Sequence, residues 1–241
     1  MGWSSVELSL VWGVVEAGLV LDAQEPPRRS LGRVNERALH YRCGAPVLLM
    51  VENNAAAVEA ALCAGGLVCP GCGGVLGAWG WARPRPIRIR GGHVLVEPRR
   101  SRCGGCLVTH VLLPTMCMFR SRDGVEQVDS ALLAFGAGEG HRRIAARLGV
   151  PASTVRGWLR RFGGKAVFLA AQFVAVARRL DPSLGHISSR GSPVGDALEA
   201  FGVAAGAAVR RFGPGRRWWF VSGASGGLLL GNTNCPFRAT G

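Results

Sequence analysis

The pattern of apolar and polar positions divides the chain into a strand-rich part followed by a helical part. Four short apolar and basic runs, bounded by prolines or paired glycines, predict strands joined by hairpins at 75–81, 87–90, 93–96 and 107–113. A short helix over Ala55–Cys63, capped by Asn53 or Asn54 and ended at Gly65, is predicted before them. Three later segments show helical spacing of apolar residues: 125–162, 165–180 and 194–212. This order predicts an α+β fold.

Composition narrows the class of protein. Apolar residues make up 48% of the 241 residues, which excludes wholesale disorder. The longest apolar stretches are interrupted before they could cross a bilayer, so we expect no membrane partner. The formal net charge of +14 favours a polyanionic partner. Only Lys165 is a lysine, so the excess is almost entirely arginine. We expect a cytoplasmic, nucleoid-associated protein, because the chain does not start with a basic and apolar leader.

Two cysteine pairs carry the first strong motif: Cys69-Pro-Gly-Cys72 and Cys103-Gly-Gly-Cys106. Two residues between ligands let a tight turn aim both thiolates at one ion. Four sulfurs complete a tetrahedral site and leave no open position, which predicts one structural Zn²⁺ and no catalytic metal. In a chain that is not exported, paired cysteines hold metal more often than they form disulfides. His110 and His93 remain alternative ligands.

Arginines crowd onto the same ribbon. Arg88 and Arg90 precede the Gly91-Gly92 turn, and Arg100 and Arg102 follow it. Alternation along a strand puts each pair on one face, and a hairpin would bring both pairs into a single patch. Guanidinium groups suit phosphate contacts, so we predict that these four bind the DNA backbone. A merely solvated basic face is the alternative.

Residues 141–160 carry the second strong motif, a helix-turn-helix. Gly149 suits the left-handed residue that ends the first helix, and Pro151 suits the first turn of the second. The positions that must face inward hold small or apolar side chains: Ile144, Ala145, Leu148, Val150, Val155, Trp158 and Leu159. An amphipathic helix upstream, from Val125 to Leu133, would complete a three-helix core.

The outward positions of the second helix follow from the inward ones. Its exposed N-terminal part would enter a major groove, and we predict base contacts from Ser153, Thr154, Arg156 and Gly157. Among these, Arg156 is the strongest candidate, with guanine as its partner. Arginines at the edges are predicted to bind phosphates: Arg142, Arg143, Arg160 and Arg161. The alternative is a structural helical hairpin with a charged outer face.

These motifs predict four segments in chain order. They are a poorly ordered N-terminal segment, a zinc ribbon with a short leading helix, a helix-turn-helix domain, and a helical tail with a Gly-rich end: 1–47, 48–122, 123–163 and 164–241. Within the tail, 166–176 is too apolar to stay exposed. We therefore expect the tail to dock on a partner or to form a homodimer.

A zinc ribbon followed directly by this helix-turn-helix resembles the N-terminal DNA-binding region of insertion-sequence transposases. It resembles most closely the short actinobacterial ribbon-plus-helix-turn-helix proteins found among mobile-element genes. The segments that carry the resemblance are 69–72, 99–106, 109–114, 140–162 and 231–237. The resemblance implies sequence-specific binding to double-stranded DNA, such as element ends, beside a separate recombinase or transposase.

Catalysis is not expected from this chain. The resemblance implies that full transposases carry an acidic metal-binding triad on an RNase H-like fold, whereas only Asp181, Asp196 and Glu199 follow the helix-turn-helix here. We therefore expect a non-catalytic protein that assists transposition. Two alternatives remain open: a host transcriptional regulator, and an RNA-associated zinc-ribbon protein.

Overall fold

The computed structural model describes residues 47–230. The predicted N-terminal segment up to residue 46 and the closing motif from residue 231 lie outside that range. The strands are β1 (Val47–Val51), β2 (Leu76–Trp81), β3 (Arg85–Ile89), β4 (Gly92–Val96), β5 (Arg99–Cys103) and β6 (Thr109–Pro114). The helices are α1 (Ala55–Cys63), α2 (Val125–Gly136), α3 (His141–Leu148), α4 (Ala152–Gly163), α5 (Ala166–Leu180), α6 (Pro193–Phe212) and α7 (Arg217–Ala224). The mixed α+β class is confirmed.

The strands form two sheets. A four-stranded sheet has the order β1-β6-β5-β2, in which β1 is parallel to β6 and the other neighbours are antiparallel. Strands β3 and β4 form a separate hairpin. A parallel pair requires a long crossover, and here α1 and strands β2 to β5 fill it. Strand β1 was not predicted, because its five apolar residues acquire a strand partner only about sixty residues later in the chain.

Helix α1 begins as the sequence predicts. The side chain of Asn54 accepts hydrogen bonds from the backbone N–H groups of Ala56 and Ala57, at 3.0 and 3.4 Å. Asn53, the alternative cap, instead accepts from the N–H of Met116 at 2.8 Å and so ties the helix entry to the end of β6. The helix then packs its buried residues, Val58 and Leu62, against one face of the four-stranded sheet.

The predicted hairpin between the two arginine sets is wrong. Strand β3, which carries Arg88, pairs with β4, whereas β5, which carries Arg100 and Arg102, pairs with β2 and β6. The β3–β4 hairpin packs Ile87 and Val96 over Met50 and Leu113, on the sheet face away from α1. Burial of these apolar residues therefore places the two arginine sets in different sheets.

One hydrophobic core joins the helix-turn-helix to the three helices that follow it. The buried residues of α2, α3 and α4 belong to the same cluster as those of α5, α6 and α7. Four aromatic rings lie at its centre: Phe162, Phe173, Phe201 and Trp218. The ring of Phe201 lies 4.4 Å from that of Phe173 and 5.9 Å from that of Phe162, centroid to centroid.

The C-terminal helices pack into this core of the same chain. The apolar face of α5 is buried inside the chain, by α6 above all, so it needs no second protomer to cover it. The apolar face of α5 thus gives no support for a homodimer, which stays a prediction. Helix α7 was missed, because Gly213, Gly215 and Gly223 made this region look like a loop.

The ribbon and the helices also contact each other. The hydroxyl of Ser222 on α7 donates to the carbonyl of Cys117 at 2.9 Å, and the N–H of Phe119 donates to the carbonyl of Gly227 at 2.8 Å. Gly227 has a φ of +71°, and a Cβ there would lie 3.1 Å from Sδ of Met50 on β1. The chain after α7 thus packs closely on the first strand. Every helix within residues 47–230 is too short or too polar to span a bilayer.

A shared core predicts shared unfolding. Phe201→Ala should lower the free energy of unfolding by about 3–5 kcal/mol, because it empties the centre of the aromatic group. Hydrogen exchange followed by mass spectrometry should then show α4 and α6 losing protection together. The control is Val167→Ala on the exposed side of α5, where 71% of the residue is accessible, and it should change neither. Loss of protection confined to α5–α7 would contradict the shared core.

Candidate functional site

The two cysteine pairs form matching turns. In each turn the residue after the second cysteine adopts a left-handed conformation, Gly73 with a φ of +70° and Leu107 with a φ of +64°. The N–H of Gly73 donates to the carbonyl of Cys69 at 2.8 Å, and the N–H of Leu107 donates to the carbonyl of Cys103 at 3.1 Å. Each turn therefore directs both of its thiols to the same side.

The four sulfurs meet in one cluster. The Sγ atoms of Cys69, Cys72, Cys103 and Cys106 all lie within 4.8 Å of one another. Two of the separations are 3.7 Å (Cys69 to Cys106) and 3.4 Å (Cys72 to Cys103). Four sulfurs bound tetrahedrally to one zinc, at Zn–S distances of about 2.3 Å, would lie about 3.8 Å apart. The four cysteines can therefore hold a metal ion, and their spacing is compatible with zinc.

The surroundings of the cluster shift the pKa values of its thiols in opposite directions and leave little room. The N–H groups of Cys106 and Gly105 point at Sγ of Cys103, at 3.5 and 3.3 Å, and these backbone hydrogen bonds lower the pKa of Cys103 to about 6. Burial has the opposite effect on Cys69, whose pKa it raises to about 12. A Cβ at Gly74 would lie 2.9 Å from Sγ of Cys103, so only glycine fits at that position.

The two histidines that were alternative ligands, His110 and His93, lie outside the four-cysteine group. Nε2 of His110, which is buried on β6, lies 3.4 Å from Sγ of Cys69, but His110 is not part of the four-donor group. His93 is exposed on β4. Within residues 47–230, the four cysteines are the group of candidate donors close enough to share one ion.

The helix-turn-helix has the local geometry that the sequence predicts. Gly149 ends α3 with φ 64° and ψ 33°, and the N–H of Val150 donates to the carbonyl of Ala145 at 3.1 Å. Pro151 lies immediately before α4 as its capping residue, one position earlier than its predicted place in the first turn. Sequence reasoning missed Gln127 of α2, whose side-chain N–H donates to the carbonyl of Leu148 at 2.9 Å and holds the end of α3.

The inward side of the motif is buried. Six of the seven predicted inward residues are less than a tenth exposed, and Leu148 is half-buried. Phe162, which the motif did not include, is a fully buried residue near the end of α4. Because Val155, Trp158, Leu159 and Phe162 lie along one side of α4, the opposite side of that helix must face outward.

The predicted DNA-contacting residues lie on that outward side. Ser153 and Arg156 are exposed, as are the predicted phosphate-binding residues Arg142, Arg143 and Arg160. Thr154 and Gly157 are half-buried. Among the described residues none of these arginines forms an ion pair, whereas the neighbouring Arg147 is bound to Glu139 at 3.0 Å. The positive charge on this surface is therefore available to an anion.

Arg161, which was predicted to bind phosphate at the edge of the motif, packs against Gly157 on the same helix. A Cβ built at Gly157 would lie 3.5 Å from Nη1 of Arg161, so the guanidinium lies across the space where Gly157 has no side chain. The Nε atom of Arg161 is buried, without a hydrogen-bond partner among the described residues. The missing side chain of Gly157 thus leaves room for Arg161 to fold back along α4 over that glycine.

The ribbon arginines are not equivalent. Arg88 is held by Asp123 at 2.8 Å, and Arg90 lies in the turn after β3. On β5, Arg100 is exposed, while Nε of Arg102 donates to the carbonyl of Leu107 at 3.2 Å. The predicted single patch is therefore divided, and the phosphate contacts of the four arginines remain predictions.

A model of the homeodomain-like domain matches residues 130–169. The matched range begins inside α2, includes α3 and α4, and ends in the first turns of α5. No curated protein and no solved structure matches the chain. The match and the geometry of α3 and α4 together support a DNA-binding helix-turn-helix protein.

Proposed function

We propose that this protein is a zinc-containing, sequence-specific DNA-binding protein that places α4 in the major groove. The observation that carries the proposal is the division of α4 into two sides. Val155, Trp158 and Phe162 are buried, while Ser153 and Arg156 face outward at its N-terminal end. An exposed arginine at that end of a helix is suited to bidentate hydrogen bonds with guanine.

The cysteine cluster gives the ribbon its proposed cofactor. The four-thiol donor set, the separations between the sulfur atoms and the glycine at position 74 all fit one tetrahedral Zn²⁺. The apolar cluster around α1 is small, so zinc would supply much of the folding free energy of this part. The proposed role of the ion is structural, because four sulfurs leave no position for a substrate.

Within that class we propose a non-catalytic, transposition-associated role, beside a separate recombinase. The acids that follow the helix-turn-helix are engaged in holding the chain. Asp181 is bound to Arg210 at 2.8 Å, Glu199 to Arg190 at 2.8 Å, and Asp196 accepts from the hydroxyl of Ser189 at 2.9 Å. These contacts support a stabilising role for the carboxylates. We further propose that the protein acts in the cytoplasm, associated with the nucleoid, where its proposed DNA ligand is found.

Selection of duplexes from a random pool tests the proposal as a whole. The zinc-loaded protein should enrich one sequence motif, and a chelator should weaken the enrichment, because the ribbon would lose the metal that stabilises it. A motif found at the ends of a mobile element supports the transposition role, whereas a motif found in promoters supports a host regulator. A pool that stays random would contradict sequence-specific binding.

The metal assignment predicts a defined stoichiometry. The purified protein should contain one zinc per chain, and the double substitution Cys69→Ser with Cys103→Ser should release it, because two of the four thiolates are lost. Elemental analysis after gel filtration measures the content. The matched control is Cys63→Ser, at an exposed cysteine outside the cluster, which should keep its zinc. Full zinc content in the double variant would refute the four-cysteine site.

Two arginines of α4 should have different effects. Arg156→Ala should cost about 1–3 kcal/mol at one base pair of the selected site and relax the preference there, because it removes a base contact. Arg160→Ala should weaken all duplexes alike and reduce the salt slope by about one, as a lost phosphate contact does. Fluorescence anisotropy over a panel of single-base variants separates the two. Equal weakening of every duplex by Arg156→Ala would show that Arg156 binds phosphate and not a base.

A further inference from the structure

One face of the four-stranded sheet exposes a tryptophan among arginines. On β5, Ser101 and Cys103 are buried on the side of α1, so the alternating Arg100 and Arg102 lie on the other side. The guanidinium of Arg102 lies 4.6 Å from the ring centroid of Trp79, which places that ring on the same side. Trp79 remains 54% exposed. The face of this ring is therefore accessible to a planar ligand between two arginines.

A bulge in β2 places the rings of Trp79 and Trp81 on opposite sides of the sheet. The register of β2 on β5 shifts between Ala78 and Gly80, so Trp79 is the extra residue and regular alternation is broken. Trp81 pairs with Arg99, whose guanidinium lies 4.5 Å from its ring and also binds Glu59 of α1. The two tryptophans therefore lie on opposite sides of the sheet, although they are equally exposed.

The charges differ between the two sides. Beside Trp81, Glu59 neutralises Arg99 at 2.5 Å. Beside Trp79, Arg100 is exposed without an ion pair among the described residues. Strands β2, β5 and β6 contain no acidic residue. The side with Trp79 thus combines an open aromatic ring with uncompensated positive charge, which is the combination that binds the backbone and bases of a single strand.

We propose that Trp79, Arg100 and Arg102 form a stacking site for an unpaired base of single-stranded DNA. The bases of a duplex are already stacked on each other, so only an unpaired base can offer its face to Trp79. Arg100 and Arg102 would contact the phosphates that flank that base. This site goes beyond duplex reading by α4, and it rests on the proposed function only in that DNA is the ligand.

The test measures the affinity of the full-length, zinc-loaded protein for a fluorescein-labelled oligothymidine. Stacking on an aromatic ring contributes about 1–3 kcal/mol per base, so Trp79→Ala should weaken binding about fivefold or more. Trp79→Phe should keep most of the affinity, because it keeps a ring. The matched control is Trp81→Ala: Trp81 is 51% exposed but lies on the other side of the sheet, so the affinity of this variant should stay within about twofold of the unmodified protein.

Duplex binding separates this proposal from the proposed function. Trp79→Ala should bind the selected duplex as the unmodified protein does, which also shows that the variant is folded. Arg156→Ala should have the reverse effect, losing duplex preference while keeping the single strand. An unchanged single-strand affinity for Trp79→Ala overturns the stacking site and leaves that surface to a protein partner. An equal loss for Trp81→Ala also overturns it.

Discussion

Burial of one side of α4 is the interaction on which the rest of the structure depends. Val155, Trp158 and Phe162 pack into a core shared with the flanking helices, and this packing fixes the rotation of α4 about its own axis. The outward direction of Ser153 and Arg156 is a consequence of that packing. The left-handed turn at Gly149 and the hydrogen bond from Gln127 to the end of α3 then fix the angle at which α4 is presented. The orientation of the side chains proposed to contact DNA thus depends on the apolar contacts on the buried side of α4.

The same core explains why the chain continues after the helix-turn-helix. Helices α5 to α7 extend the core below α4, through Phe162, Phe173 and Phe201. The chain around α7 then contacts the ribbon through Ser222 and Gly227. The C-terminal helices therefore support the DNA-binding helices and connect them to the ribbon. The apolar cluster around α1 is small, and the four cysteines beside it can hold a metal ion.

Features that depend on residues close together in sequence could be predicted. The cysteine spacing, the Asn54 cap and the offsets from Ile144 to Leu159 each require particular residue types a few positions apart, and the structure has them as predicted. Features that depend on distant pairing could not. The parallel partner of β1, the separate sheets of Arg88 and Arg100, and the burial of α5 under α6 depend on contacts between distant residues. The side of the sheet that Trp79 occupies depends on a β-bulge, and no pattern in the neighbouring sequence predicts that bulge.

The central claim is that the outward side of α4 touches DNA, and amide chemical shifts report such contact directly. The measurement is an NMR titration of ¹⁵N-labelled, zinc-loaded protein with its selected duplex. We expect the largest shifts at residues 152–157, with smaller ones near Arg142 and Arg143. The buried residues along the inner side of α4 should move little. Shifts confined to the β strands, with 152–157 unchanged, would show that α4 does not contact the DNA.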